Sequence, residues 1–153
     1  AAAAAASGQA VPAARPVPGR VSAALASRDP AAALAGLAWL RTEAIRTRST
    51  GLLDDVNVAD SAAMAADREI IGALLARDHW LSGLETGVGS VEPAAASGTT
   101  AVLSAVVTTS AFQEHSRAGL VREAAEPKEQ RLKVRLEHVD GRWLVSAVLP
   151  PDG

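Results

Sequence analysis

Arg131–Val148 reads RLKVRLEHVDGRWLVSAV. Leu132, Val134, Leu136 and His138 alternate with Arg131, Lys133, Arg135 and Glu137. A period of two marks a strand with one buried face and one wet face. Asp140-Gly141 follows, a dipeptide suited to a two-residue type I′ turn, in which both central positions take positive φ. Trp143, Val145, Ala147 and Leu149 then alternate again. The stretch predicts a β-hairpin. It specifies a scaffold and carries no chemistry of its own.

Working back from the hairpin, Glu126-Pro127-Lys128 reads as a turn and Gly119–Ala125 as a strand. Gln113–Ala118 is polar and reads as a turn. Thr99–Phe112 is rich in β-branched residues and is the longest strand candidate. Its apolar residues fall on both parities, which predicts a bend or bulge. Glu92–Gly98 reads as a turn. Leu81–Val91 alternates Gly83, Gly87 and Gly89 with larger residues; that glycine load disfavours helix and fits a twisted or bulged strand. About five antiparallel strands are expected.

The first half is helical. Asp29-Pro30 supplies an N-cap acceptor and a proline at the first helical position. Leu34, Leu37, Ala38, Ala44 and Ile45 recur at helical spacing, and Ser49-Thr50-Gly51 ends the helix. Val21–Ala26 predicts a short helical turn before it, and Leu52–Val56 another after it. Asp60 or Ser61 caps a second long helix, whose apolar face holds Ala63, Ala66, Ile70, Ile71, Leu74 and Leu75 and which runs to about Arg77.

Residues 1–20 are a low-complexity Ala/Pro/Gly stretch. Pro12, Pro16 and Pro18 exclude a helix interior or a central strand and favour an extended linker. The chain opens on alanine rather than methionine, and the expectation is a processed form or a piece of a longer protein. Residues 1–24 are read as the linker and 25–150 as a single domain.

Composition narrows the function. The chain has 153 residues and a net charge of −2, without the basic stripe of a nucleic-acid-binding protein. It has no cysteine, which excludes disulfides, thiolate nucleophiles and cysteine-ligated metals. Three Trp, one Phe and no Tyr leave the core to Leu, Val, Ile and Ala. No run of about 20 apolar residues is present to span a bilayer.

Helices first and strands later give an α+β fold: N-terminal helices packed on a curved antiparallel sheet, cone-like, after a disordered or extended tail. This order, ending in VDGRWLV, resembles the nuclear transport factor 2-like superfold. The texture of DPAAALAGLAWLRTEAIRTRSTGLLDDVNVADSAAMAADREII and of VDGRWLVSAVL also resembles extracytoplasmic domains of membrane-anchored actinobacterial proteins, some serine/threonine kinases among them. The resemblance covers about residues 25–149. It implies a domain held by a Pro/Ala linker behind a membrane span, and it brings no catalytic motif.

Enzymes of that superfold use an Asp or His as base and often a Tyr or Asp beside an enolate. Here no Tyr exists, and the candidates are Asp67 on the second long helix and His138 on the sheet. The weightier expectation is an ion pair of Asp67 with Arg68 or a neighbour, and a satisfied ring for His138. His79 follows Asp78 but has no second His at helical spacing, so no metal is expected. There is no G-x-S-x-G elbow and no phosphate loop. Arg131, Lys133 and Arg135 form a basic row, either a solvated face or a docking face for an acidic partner, cell-wall or lipid head group. Trp39, Trp80 and Trp143 are expected in the core or at its rim. Trp39 and Trp80 join the basic row as candidates for a ligand or partner surface.

The sequence therefore predicts a non-catalytic, extracytoplasmic protein-interaction or sensing domain on an Ala/Pro tether, without cofactor or metal. Its expected partner is another protein, or a second copy through the sheet face, and it meets a membrane only through an anchor. A small apolar ligand-binding cone is the first alternative. An isomerase- or cyclase-type enzyme using Asp67 and His138 is the second. A cytoplasmic location is the alternative to the extracytoplasmic one.

Overall fold

The computed structural model describes residues 10–149. Among these residues three helices come first: α1 (Gly19–Ala26), α2 (Pro30–Thr47) and, after a 3-10 turn at Gly51–Asp55, α3 (Ala62–Arg77). Seven strands follow: β1 (Trp80–Ser82), β2 (Thr86–Ala96), β3 (Thr100–Thr109), β4 (Phe112–Ser116), β5 (Gly119–Ala124), β6 (Lys128–Val139) and β7 (Arg142–Leu149). The architecture is α+β. The strands form a large antiparallel sheet in the order β2-β3-β6-β7 and a small one in the order β1-β4-β5.

The helix ends follow from their sequence. Asp29 Oδ1 accepts from the Ala31 amide at 3.0 Å, and Ser61 Oγ accepts from the Met64 amide at 3.1 Å. Each thereby satisfies one donor that the first helical turn leaves without a partner. At the other ends Arg48 and Asp78 take left-handed conformations, with φ 54° each, and close α2 and α3.

The hairpin forms with Asp140 at φ 50° and Gly141 at φ 82°, as its turn requires. Val134 and Leu136 of β6 pair with Leu103 and Ala101 of β3, and all four are buried under the helices with Leu34 and Leu37 of α2. Trp143 is buried too, and its indole Nε1 donates to the Arg28 carbonyl at 2.8 Å. The strict alternation expected along β7 breaks at Ser146. Leu136 pairs with Val145 and Arg135 with Ala147, so Ser146 is an extra residue and the parity flips beyond it. Val148, rather than Ala147 or Leu149, comes opposite Val134.

Several strand boundaries differ from expectation for one reason. The expected single strand over Leu81–Val91 is two strands in different sheets, and the expected long strand over Thr99–Phe112 ends at Thr109. Both segments change sheets at one level. Gly83 turns with φ 79°, and Ser110 Oγ donates to its carbonyl and accepts from the Glu85 amide, each at 2.8 Å. The expected turns at Glu92–Gly98 and Gln113–Ala118 are largely strand, in β2 and β4. Two further bulges of the large sheet fall on β2, between Gly89 and Glu92 and between Pro93 and Ala95.

The folded unit also reaches further back than residue 25. α1 begins at Gly19, and its Val21 is buried. α2 offers Gly36 to it, where a Cβ would stand 3.1 Å from Leu25 Cγ. No helix among the described residues is long and apolar enough to cross a membrane.

Candidate functional site

Between α2, α3 and the inner face of the large sheet lies a cavity of about 510 Å³. Its walls are short apolar side chains: Leu34, Leu37 and Ala38 from α2, Ala63 and Ala66 from α3, and Val88, Val107, Leu132, Val134, Val145 and Val148 from the sheet. The composition explains the space. Large aromatics would fill a cone of this width, and Ala and Val do not. Ile70 and Val148 border it and stay exposed, at 39% and 54%.

Arg41, Asn57 and Asp67 are polar side chains in this lining. Asp67 is buried on α3. Its Oδ1 accepts from Arg41 Nε of α2 at 2.9 Å, and its Oδ2 accepts from Asn57 Nδ2 at 2.9 Å. Asn57 is itself buried, held because Val56 and Val58 bond the backbone of Val145 on β7. The partner of Asp67 is thus Arg41 from another helix, not Arg68 beside it. His138 does not join this group. β6 lines the cavity with Gln130, Leu132 and Val134, and His138 stands about 13 Å further along the strand at roughly 3.3 Å per residue. Its ring packs edge-on against Trp143, with centroids 4.9 Å apart.

The other candidates separate likewise. Trp80 is buried and stacks on His115, with centroids 6.1 Å apart, so it is not a partner surface. Arg131, Lys133 and Arg135 line up on β6 opposite Val106, Ser104 and Val102, away from the cavity-facing residues, and Arg131 and Arg135 are exposed. Trp39 is half-buried beneath the guanidinium of Arg15, which sits 5.4 Å from its ring centroid.

Arg15 comes from the expected linker. Its Nε donates to Glu43 Oε1, its backbone amide to Glu43 Oε2 at 3.2 Å, and its guanidinium to both oxygens of Glu85 at 2.7 and 3.3 Å. The bond to Glu85 outweighs the opposing effect of burial and, with Glu43, raises the pKa of Arg15 above its ordinary value. Pro16, Pro18, Trp39, Glu85, Thr86 and Val88 share a cleft with it. Thr86 and Val88 also line the cavity between the helices and the large sheet.

A third polar group ties the small sheet to the end of α3. His79 Nδ1 donates to Glu114 Oε2 at 2.7 Å and Arg122 Nε to Glu114 Oε1 at 2.8 Å. Burial pushes the Glu114 carboxyl up, but the bonds from His79 and Arg122 together outweigh it and hold the pKa below the ordinary value. Next to it, Ser82 Oγ and His115 Nε2 are 2.7 Å apart.

No family model matches the chain, and no curated protein matches it. Solved structures do. The fold is similar to the intermembrane space region of the chloroplast protein ARC6, with a TM-score of 0.61 and 15% identity over 81% of this chain and 99% of that one. It is also similar to a provisionally assigned calcium/calmodulin dependent protein kinase II association domain from Xanthomonas campestris, with a TM-score of 0.51 and 14% identity over 94% of this chain and 99% of that one. At these identities the likeness is one of fold.

Sequence reasoning missed Arg15, Arg41, Glu43, Asn57 and Glu85. Glu43 alone left a signal: an acid three residues after Leu40, on the same side of the helix, where a buried face calls for a charged partner.

Proposed function

We propose that the chain is a non-catalytic binding domain of the nuclear transport factor 2-like kind. It serves as an interaction or sensing module carried outside the cytoplasm on its Ala/Pro tether, and the cavity is where it takes hold of an apolar group. The observation that carries this reading is the disposition of Asp67. A general base must reach the proton it removes. Asp67 instead gives one oxygen to Arg41 and the other to Asn57, and His138 lies elsewhere. What remains is an apolar container of about 510 Å³, inside the usual size range of ligand sites. The fold's likeness to an association domain supports a binding role, and its likeness to an intermembrane space region suits an extracytoplasmic one.

The group it takes is presented by a partner protein. A free small apolar molecule is the second reading, favoured by the cavity volume. Association through the outer sheet face has less support, because Arg131, Lys133 and Arg135 interrupt the apolar surface there.

Titration with an apolar fluorescent probe tests the cavity, with Val107→Phe to fill it. Saturable binding to the native chain, weakened roughly tenfold or more by the substitution while the circular dichroism is unchanged, is the expected result. Equal probe binding by both chains would remove the cavity from the account. Native mass spectrometry of protein from its own host separates the two occupants, since only a small molecule would travel with the chain as a fixed added mass.

A further inference from the structure

We infer that Trp39, Glu43 and Glu85 form a recognition site for an arginine–proline segment, and that the chain's own Arg15-Pro16 is a resident occupant which a partner protein's segment of the same kind can replace. This goes beyond the cavity and does not depend on it.

The site reads the guanidinium from three sides. Glu85 takes two of its nitrogens with two oxygens, Glu43 takes Nε, and the Trp39 ring lies beneath. A planar fork matched by carboxylates and resting on an aromatic face is a geometry that arginine satisfies and lysine does not. Glu43 also reads the backbone, accepting the Arg15 amide with its second oxygen. The following residues run extended: Pro18 has φ −62° and ψ 150°, the polyproline conformation, and Pro16 and Pro18 share the cleft with Trp39. An aromatic wall against a proline-rich strand is a recurring mode of peptide recognition.

The site needs an occupant. The Glu43 side chain is 3% exposed, and a buried carboxylate that loses a donor is costly. Arg46 serves Oε1 from the same helix, whereas Oε2 bonds the Arg15 amide. The resident is held lightly outside this point. Val11 and Val17, on either side of Arg15, keep 37% and 46% of their surface in water. Arg15 is therefore the anchor of the segment. Its short connection to α1 gives it a local concentration on the order of millimolar, which a partner's segment must exceed to replace it.

The test uses the full chain and a fluorescein-labelled peptide of residues 10–19, AVPAARPVPG. Arg15→Ala empties the guanidinium site. The peptide is expected to bind this variant roughly tenfold or more tightly than it binds the native chain, whose own Arg15 competes. The same peptide with Ala in place of Arg is expected to lose binding by a similar factor. Should Arg15→Ala fail to fold, the native chain serves. The Arg15 Nε–H resonance is then followed in the presence of millimolar peptide and is expected to move to its solvent-exposed position. Absence of saturable binding, equal binding by the Ala peptide, or an Nε–H resonance that peptide excess leaves in place overturns the proposal. A dimer seen by light scattering and abolished by Arg15→Ala also overturns it, because the site would then belong to a second copy's tail.

Discussion

Removing the carboxylate of Asp67 strands two donors, Arg41 Nε and Asn57 Nδ2. Arg41 can turn to water, since its side chain is 42% exposed, but Asn57 is buried and cannot. Asp67→Ala should therefore cost about 2–3 kcal/mol, chiefly for the orphaned amide. Asp67→Asn should cost less, since one amide oxygen still accepts. Urea midpoints for the two variants check this, and a loss below about 0.5 kcal/mol for Asp67→Ala would mean that cavity water serves the donors. Glu114 gives a pH signature. Its folded-state pKa is lowered from 4.5. Its contribution to stability is thus complete above 4.5 and disappears as the pH falls through the lower folded value. Comparing Glu114→Gln with the native chain from pH 7 downward should show a stability gap that is constant at first and closes only in acid. A gap that instead widened in acid would contradict the His79 and Arg122 pairing. The position of Asp67 on an interior helix could be inferred from spacing alone. Arg41 and Asn57 could not, because the three meet only when two helices and a loop converge on one cavity.

The contact between α1 and α2 turns on Gly36. A Cβ there would lie 3.1 Å from Leu25 Cγ and 3.2 Å from Ala24 Cβ, so the helices approach as closely as glycine permits. Alanine sits at the edge of what small shifts absorb. Valine adds two further methyls, so α1 must move or leave, at an expected cost of about 1–3 kcal/mol. Thermal melts of Gly36→Val measure the cost. A melting temperature equal to that of the native chain would show that α1 is not packed as described. Elements with strong local codes were legible: the N-caps of α2 and α3, a helical turn after α2, and the Asp140-Gly141 hairpin. The small sheet was not. β1 and β4 are three and five residues long, and what separates them from β2 and β3 is the bonding of Ser110 to Gly83 and Glu85, a long-range contact. The Ser146 bulge was hidden similarly, since a run of Val, Ser, Ala and Val fits either parity.

At the scale of the whole molecule, an alanine- and valine-rich chain closes an α+β cone without filling it. Helices before strands were enough to predict the layers; the empty volume depends on side-chain size where the layers meet and emerges only in three dimensions. If the space serves binding, stability has been forgone to keep it open. Val107 sits on the inner face of β3 in the cavity wall, so Val107→Phe adds apolar surface where room exists. Burying that surface should stabilise the fold by about 1 kcal/mol and raise the melting temperature by roughly 2–4 °C for a chain of this length. The same substitution should weaken the apolar probe. A chain that grows more stable while it loses its probe would identify the cavity as space held open for a ligand. A chain that loses stability instead would mean that the walls already close against one another in solution, leaving the outer surfaces and the Trp39 site as the places where binding can occur.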